Sequence, residues 1–259
     1  MNVDAVWHDL ECGGYSDDLA LWRALAASSG GPVLDVGAGT ARVTLELASR
    51  GVEVVALDFA PRLLAALGCR AAGMPVETVC ADAREFRVDR HFSLIVVPMQ
   101  TLQLFGAAGR ETFLRCAFEH LKPGGLLAAA LTDAMECFDE EHDLPPPAEA
   151  CEILGVRYTS QLVGVAEERG RAAIRRRREI MRADDRGETQ NVVVHLDRVS
   201  PDEVAAEARR VGFVARPCLH IPESEQYLGS TVVVLQAPTG AADVSALRAS
   251  QPGSRAGGR

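Results

Sequence analysis

The sequence predicts an α/β fold, a doubly wound and mostly parallel sheet with an antiparallel β insertion. Apolar runs of strand length alternate with helical periodicity from Val33 to Leu131. Three of these runs carry an acid at or near the carboxyl end: Asp35, Asp58 and Asp82. Residues 156–199 then abandon the alternation and read as three successive strands around two turn-like segments, Glu168-Arg169-Gly170 and Asp184-Asp185-Arg186-Gly187.

The chain has 259 residues, 47% of them hydrophobic, enough for one large domain with a sizeable core. A net charge of −9 argues against broad binding to nucleic-acid phosphates or anionic membranes. No apolar run reaches transmembrane length and Met1 to Asp9 lack a basic, apolar leader, so a soluble cytoplasmic protein is expected. Seven cysteines without a CxxC pair suggest neither a zinc site nor a disulfide scaffold.

Residues 1–31 hold a polar start, Tyr15, and a helix marked by Leu19, Leu21, Trp22, Leu25 and Ala26 before Ser28-Ser29-Gly30-Gly31. Val33 to Val36 is a buried strand, followed by the turn Gly37-Ala38-Gly39 and a helix carrying Val43, Leu45, Leu47 and Ala48. Such a turn is expected to bring bare backbone N–H groups and a helix N-terminus to the strand end, and glycine lets a cofactor approach closely. A dinucleotide fingerprint needs a third glycine where Arg42 stands, and Asp35 would repel a pyrophosphate but suit a cation. Val52 to Asp58 forms the second strand, whose terminal carboxylate can accept from both ribose hydroxyls; Phe59 beside it can pack on a base. Pro61 opens a helix with Leu63, Leu64 and Leu67, and Val76 to Ala83 is the third strand. Phe92 to Gln100 is the fourth, buried strand, followed by a helix from Arg110 to Leu121 stopped by Lys122-Pro123-Gly124-Gly125, and then by Leu126 to Leu131.

These residues resemble the class I S-adenosylmethionine-dependent methyltransferases. The resemblance rests on the acid-x-Gly-x-Gly turn at 35–39, the acids ending the next two strands, and the helix–Leu-Lys-Pro-Gly-Gly–strand at 110–131. It implies a Rossmann-like seven-stranded methyltransferase fold with S-adenosylmethionine as cofactor. The cofactor residues it implies are Asp35, Gly37, Ala38, Gly39, Asp58, Phe59, Asp82, Ala83 and Met99, with Asp82 taking the adenine amino group and the Ala83 backbone a ring nitrogen. The organisation it implies is a helical lid segment (1–31), a cofactor-binding core (32–155), an antiparallel substrate cover (156–199), a last helix and terminal hairpin (200–236) and a disordered tail (237–259).

The expected reaction is methyl transfer to an oxygen or nitrogen of a small-molecule acceptor, without metal, nucleic acid or membrane, by a monomer or homodimer. The alternatives are an RNA or protein methyltransferase and a non-catalytic cofactor binder; a nicotinamide oxidoreductase is disfavoured by Asp35 and Arg42. Methyl transfer chiefly requires alignment, with a base only where the nucleophile holds a proton. His142 and Tyr15 are the leading catalytic candidates, ahead of His195, His220 and Asp133, with the 133–143 and 222–230 loops at the rim. Arg175 to Arg178 lie on a strand, so alternation leaves two arginines per face, with Glu167, Glu168, Glu179 and Asp184 available as partners.

Overall fold

A computed structural model of the chain describes residues 2–132, 136–184, 186–224 and 227–240. Strands β1 (Val33–Val36), β2 (Val54–Asp58), β3 (Val76–Cys80), β4 (Phe92–Val97) and β5 (Leu121–Leu131) pair in parallel in the order β3-β2-β1-β4-β5. β13 (Ser230–Gln236) joins β5 antiparallel, and β11 (Val214–Ala215) and β12 (Leu219–Ile221) both pair with β13 to close the edge. The order reverses between β1 and β4, the switch point where open α/β sheets bind ligands at the strands' carboxyl ends.

Strict alternation along each central strand feeds two cores. Leu34, Val36, Ile95 and Val97 face α5 (Gly106–Glu119) and α6 (Pro201–Val211), against Phe113, Leu114 and Val204. Val33, Leu94 and Val96 face α2 (Leu19–Ser29) and α3 (Arg42–Ala48), against Trp22, Val43 and Leu47. α4 (Pro61–Arg70) covers Ala38, Ala41 and Ala56 with Leu64 and Leu67. α6 starts with the capping box that Ser200-Pro201-Asp202-Glu203 encodes.

The insertion is a second, antiparallel sheet of β8 (Val156–Glu168), β9 (Arg171–Met181) and β10 (Gly187–Asp197), matching the three expected strands. Two short strands add to β8: β6 (Phe138–Asp139), within the expected 133–143 loop, and β7 (Glu149–Ile153), beyond it. Gln103 ties this sheet to the core: its amide brackets both backbone groups of Thr132, at 2.8 and 3.0 Å, and reaches the Asp197 carbonyl at 3.1 Å. Buried Arg110 completes the joint, pairing with Asp197 at 2.6 Å and Glu207 at 2.9 Å.

Three expectations need correction. The polar start contains a helix, α1 (Val3–His8), capped by the Asn2 side chain and continued by one π turn over Asp9–Gly13. The fifth helix spans Gly106–Glu119 rather than Arg110 to Leu121, and Leu121 already pairs with Phe92 in the sheet. The first arm of the expected terminal hairpin is not one strand but two short ones, β11 and β12, because Pro217 between them has no N–H to give to a ladder. The sheet contacts run on to Ala237, whose N–H donates to the Gly125 carbonyl at 2.9 Å. The expected tail beyond Gly240, and Asp133, lie outside the described residues.

Candidate cofactor and acceptor site

β1 ends in a turn with positive φ at Gly37 (72°), Gly39 (55°) and, without the licence of glycine, Ala41 (94°). The amides of this turn are not bare, contrary to the sequence-based expectation. Gly37 and Ala38 both donate to the Leu57 carbonyl, at 2.8 and 3.1 Å, and Gly39 donates to Asp58 Oδ2 at 2.9 Å. Nor are the Cβ-less faces open. A Cβ at Gly37 would stand 2.8 Å from Thr101 Cγ2, and one at Gly39 would collide with the His8 ring. The glycines let Thr101 and His8 close over the turn.

Asp58 is buried with both oxygens engaged, Oδ2 by Gly39 and Oδ1 by the Ala60 N–H at 2.9 Å. Each carboxylate oxygen still has a second lone pair for a ribose hydroxyl. Beyond the ribose role expected of it, this carboxylate pins the turn. Asp35 is fully buried, accepts from the Thr44 hydroxyl at 2.7 Å through Oδ2, and has no partner for Oδ1. Burial, with Asp58 nearby, pushes its carboxyl up to about 6.

Phe59 follows Asp58 with 77% of its surface exposed, which excludes a core role and leaves a ring face available. Asp82 is held by Arg84 through Nε at 2.9 and 3.1 Å and through the backbone N–H at 2.9 Å, and the guanidinium keeps its carboxyl below the usual range. Ala83 beside it is buried. Met99, just past β4 at the switch point, has φ of 53°, a strained conformation of the kind that gathers at binding sites.

The expected catalytic residues fall differently. Tyr15 is buried against the Tyr227 ring, centroids 4.9 Å apart, with the Arg42 guanidinium 5.1 Å from its own centroid. Arg42 is drawn there by buried Asp18, which also accepts from Trp22 at 2.7 Å. Burial and the Asp18 charge push the Tyr15 phenol up to about 12, so it keeps its proton at neutral pH. His142 is exposed in the turn after β6, its N–H on the Asp139 carbonyl at 3.0 Å. His195 contacts Glu168 at 3.1 Å on the insertion sheet, and His220 faces the Thr231 hydroxyl on edge strand β12. Sequence reasoning missed His8, which the structure places on Gly39; the only trace was an Asn2 cap ahead of Ala5-Val6-Trp7, too short for a period to register.

The arginines of β9 divide as alternation requires. Arg176 reaches Glu149 and Arg178 reaches Glu11, while Arg175 pairs with Glu168 and Arg177 with Glu140. Among the described residues no group of three His, Cys, Asp or Glu is disposed to hold a metal. No helix among them is long and apolar enough to cross a membrane.

A turn whose amides are already bonded, set over two buried carboxylates, offers a diphosphate nothing and a cation a great deal. The family described as "Methyltransferase domain" matches residues 33–125, the stretch that builds this turn. Over this stretch the chain is similar to a methyltransferase domain. Two curated relatives match part of the chain. A carboxy-S-adenosyl-L-methionine synthase of Shewanella loihica is 28% identical over 96 residues, 36% of this chain and 39% of the relative. A cypemycin N-terminal methyltransferase of Streptomyces is 33% identical over 108 residues, 41% of this chain and 44% of the relative. The matches thus span less than half of either relative. Solved structures match the methyltransferase fold over nearly the whole chain. The sugar N-methyltransferase KedS8 of Streptoalloteichus superposes with a TM-score of 0.69 at 15% identity, covering 91% of this chain and 92% of its own. CalS10, an amino pentose methyltransferase of Micromonospora echinaspora solved with S-adenosylmethionine, gives 0.66 at 18% identity, covering 91% and 96%. The fold is therefore the Rossmann-like methyltransferase fold with an antiparallel insertion.

The residues fit S-adenosylmethionine. Asp35 keeps an unpartnered buried oxygen beside the turn, Asp58 keeps free lone pairs at the end of β2, and Phe59 keeps an exposed ring.

Proposed function

We propose that the chain transfers a methyl group from S-adenosylmethionine to the amine of a small-molecule acceptor. The observation that carries this reading is the Gly37–Gly39 turn, internally hydrogen-bonded and backed by Asp35 and Asp58, which suits a cationic cofactor. When bound, that cofactor supplies an electrophilic methyl on a sulfonium. In this reading Asp58 holds the ribose, Phe59 and Ala83 flank the adenine, and Asp82 accepts from it only by sharing the oxygens that Arg84 already holds. Asp35, Gly37, Ala38, Gly39 and Met99 line the remainder.

An amine is favoured over a hydroxyl because it attacks through its own lone pair and needs no strong base. Tyr15 holds its proton, and His142, His195 and His220 belong to the insertion sheet or the sheet edge. The sugar N-methyltransferase and the amino pentose methyltransferase that share the fold point the same way. Residues 1–31 and 156–199 would enclose the acceptor, in a cytoplasmic monomer or homodimer. The acid partners of Arg175 to Arg178 argue against an RNA substrate.

The test is transfer of labelled methyl to a panel of amino sugars and their matched hydroxy sugars, with products read by mass spectrometry. Methylated amines and unmodified hydroxy sugars are expected. Transfer to hydroxyls alone would overturn the amine assignment.

A further inference from the structure

α1 and the π turn after it are anchored to the insertion sheet on one side and to α4 and the glycine turn of the core on the other. On the insertion side, Trp7 packs edge-on against Tyr158 with centroids 5.4 Å apart, and the Arg178 guanidinium lies 5.3 Å from the Trp7 centroid. Glu11 accepts from Arg178 at 2.7 and 2.6 Å and from the Ser160 hydroxyl at 2.8 Å. On the core side, Asp9 pairs with Arg70 of α4, and Arg70 also donates to the Thr40 carbonyl at 3.0 Å. His8 stands between these anchors and is set on the missing side chain of Gly39.

The hydrogen bonds around His8 determine which ring nitrogen carries the proton. Thr40 has one hydroxyl proton, and it goes to Asp9 Oδ1 at 2.6 Å. Asp9 cannot return it, since the Arg70 guanidinium and the Thr40 hydroxyl keep its carboxyl below the usual range. Thr40 Oγ1 must therefore accept from His8, whose Nδ1 lies 3.1 Å away. With Nδ1 protonated, a neutral ring carries its lone pair on Nε2, the atom that meets Gly39. The charges facing the ring are Asp58, Asp9 and Glu11, which favour protonation, and Arg42, which opposes it; burial outweighs the acids and lowers the pKa below the ordinary 6.5. At neutral pH the Asp9–Thr40–His8 chain thus ends in an imidazole acceptor at the glycine turn.

We propose that His8 is a cofactor-positioning residue, whose Nε2 accepts a hydrogen bond from a donor of S-adenosylmethionine, either a ribose hydroxyl or the α-ammonium. The proposal rests on the cofactor reading above. It gives the N-terminal helix a directed contact with the ligand, and it gives Gly39 the task of admitting that ring.

Two substitutions separate a directed acceptor from a plug. His8→Asn can keep the donor to Thr40 but has no atom at the Nε2 position; His8→Gln places an amide oxygen near it. Titration calorimetry with S-adenosylhomocysteine should find His8→Asn about tenfold weaker than the parent and His8→Gln within about threefold, the difference one hydrogen bond makes. Parent affinity should fall more steeply than that of His8→Gln as pH drops through the His8 pKa, because a proton on Nε2 turns the acceptor into a donor; the fall the two proteins share belongs to Asp35, whose carboxyl titrates near 6. Thermal unfolding of each variant establishes that it is folded, and Thr40→Val, which removes the relay but keeps the ring, should give an intermediate loss. 5′-Methylthioadenosine then identifies the donor: a loss that persists assigns the ribose, and one that vanishes assigns the ammonium. Equal affinities for all variants, or equal losses for Asn and Gln with an unchanged pH profile, would overturn the role of His8 while leaving the cofactor reading intact. No binding of S-adenosylhomocysteine by the parent would overturn the cofactor reading itself, and this inference with it.

Discussion

Asp35→Asn tests the electrostatics of the turn. The Asp35 carboxyl is fully buried, has one partner, the Thr44 hydroxyl, and is raised from 3.8 to about 6. Its folded value lies above its unfolded value, so between those values the native state binds more protons than the unfolded chain. Stability from this group is therefore present at acid pH and is lost as pH rises through about 6. Linkage over a shift of about two units gives roughly 1.4 kcal/mol more stability at pH 5 than at pH 8, from this group alone. In a protein of this size that is about 3–6 °C in Tm. Asn carries no charge at either pH, so the parent-minus-variant difference in Tm should be about that much larger at pH 5. The variant's amide can still accept from Thr44, but its NH2 group replaces the unpartnered Oδ1, at a cost of about 1–3 kcal/mol that does not depend on pH. Scanning calorimetry of both proteins at pH 5 and pH 8 isolates the pH-dependent part. A difference that stays constant, or that grows toward pH 8, would refute the assignment of a buried, uncompensated carboxyl. The same variant should bind S-adenosylhomocysteine more weakly, since it removes a negative charge near the cofactor's cation.

Other outcomes follow from single contacts. Asp58→Ala should weaken S-adenosylhomocysteine at least about tenfold, and also lower stability by about 1–3 kcal/mol because the Gly39 and Ala60 amides lose their acceptor. Exposed Asp89→Ala should change neither; calorimetry and urea unfolding check both. Arg110→Ala strands Glu207 and leaves Asp197 with Arg171 alone at the joint between the sheets, and should cost about 3–5 kcal/mol in urea unfolding; a loss below 1 kcal/mol would mean the joint does not depend on it. Neutralising Arg175 and Arg177 together should leave RNA binding negligible in both forms; tight, salt-sensitive binding that the substitutions abolish would refute the reading of β9 as an internally paired strand.

The sheet was legible because its strands announce themselves. Val33 to Val36, Val54 to Asp58 and Phe92 to Val97 are nearly all apolar, which fits strands buried on both faces. The insertion was legible from its turns and from the loss of helical period; of the expected acid partners Glu168 and Glu179 meet Arg175 and Arg177, but Glu167 and Asp184 serve Arg198 and Arg186, and Glu11, Glu140 and Glu149 come from segments distant in sequence. The turn was legible as a turn but not in its bonding. Sequence places Gly37 and Gly39 without telling that Leu57 and Asp58 take their amides, since those partners come from the neighbouring strand. α1 was invisible for the opposite reason: six residues carry too little periodicity, and what holds them in place is the distant side chains of Tyr158, Arg178 and Arg70. Tyr15 could be placed near the site but not given its ionisation, which depends on the burial and the Asp18 charge that folding imposes. His142 was expected at the rim with the 133–143 loop, yet it is exposed in the turn after β6, whose acids serve Arg177 and the turn itself.

The most direct measurement is calorimetric titration of the purified chain with S-adenosylmethionine, S-adenosylhomocysteine, NAD and NADP in one buffer at pH 7.5. The bonded amides of the Gly37–Gly39 turn, with Asp35 and Asp58 behind them, predict binding of the first two and no heat from the dinucleotides. Saturable NAD binding with no response to S-adenosylhomocysteine would contradict the account.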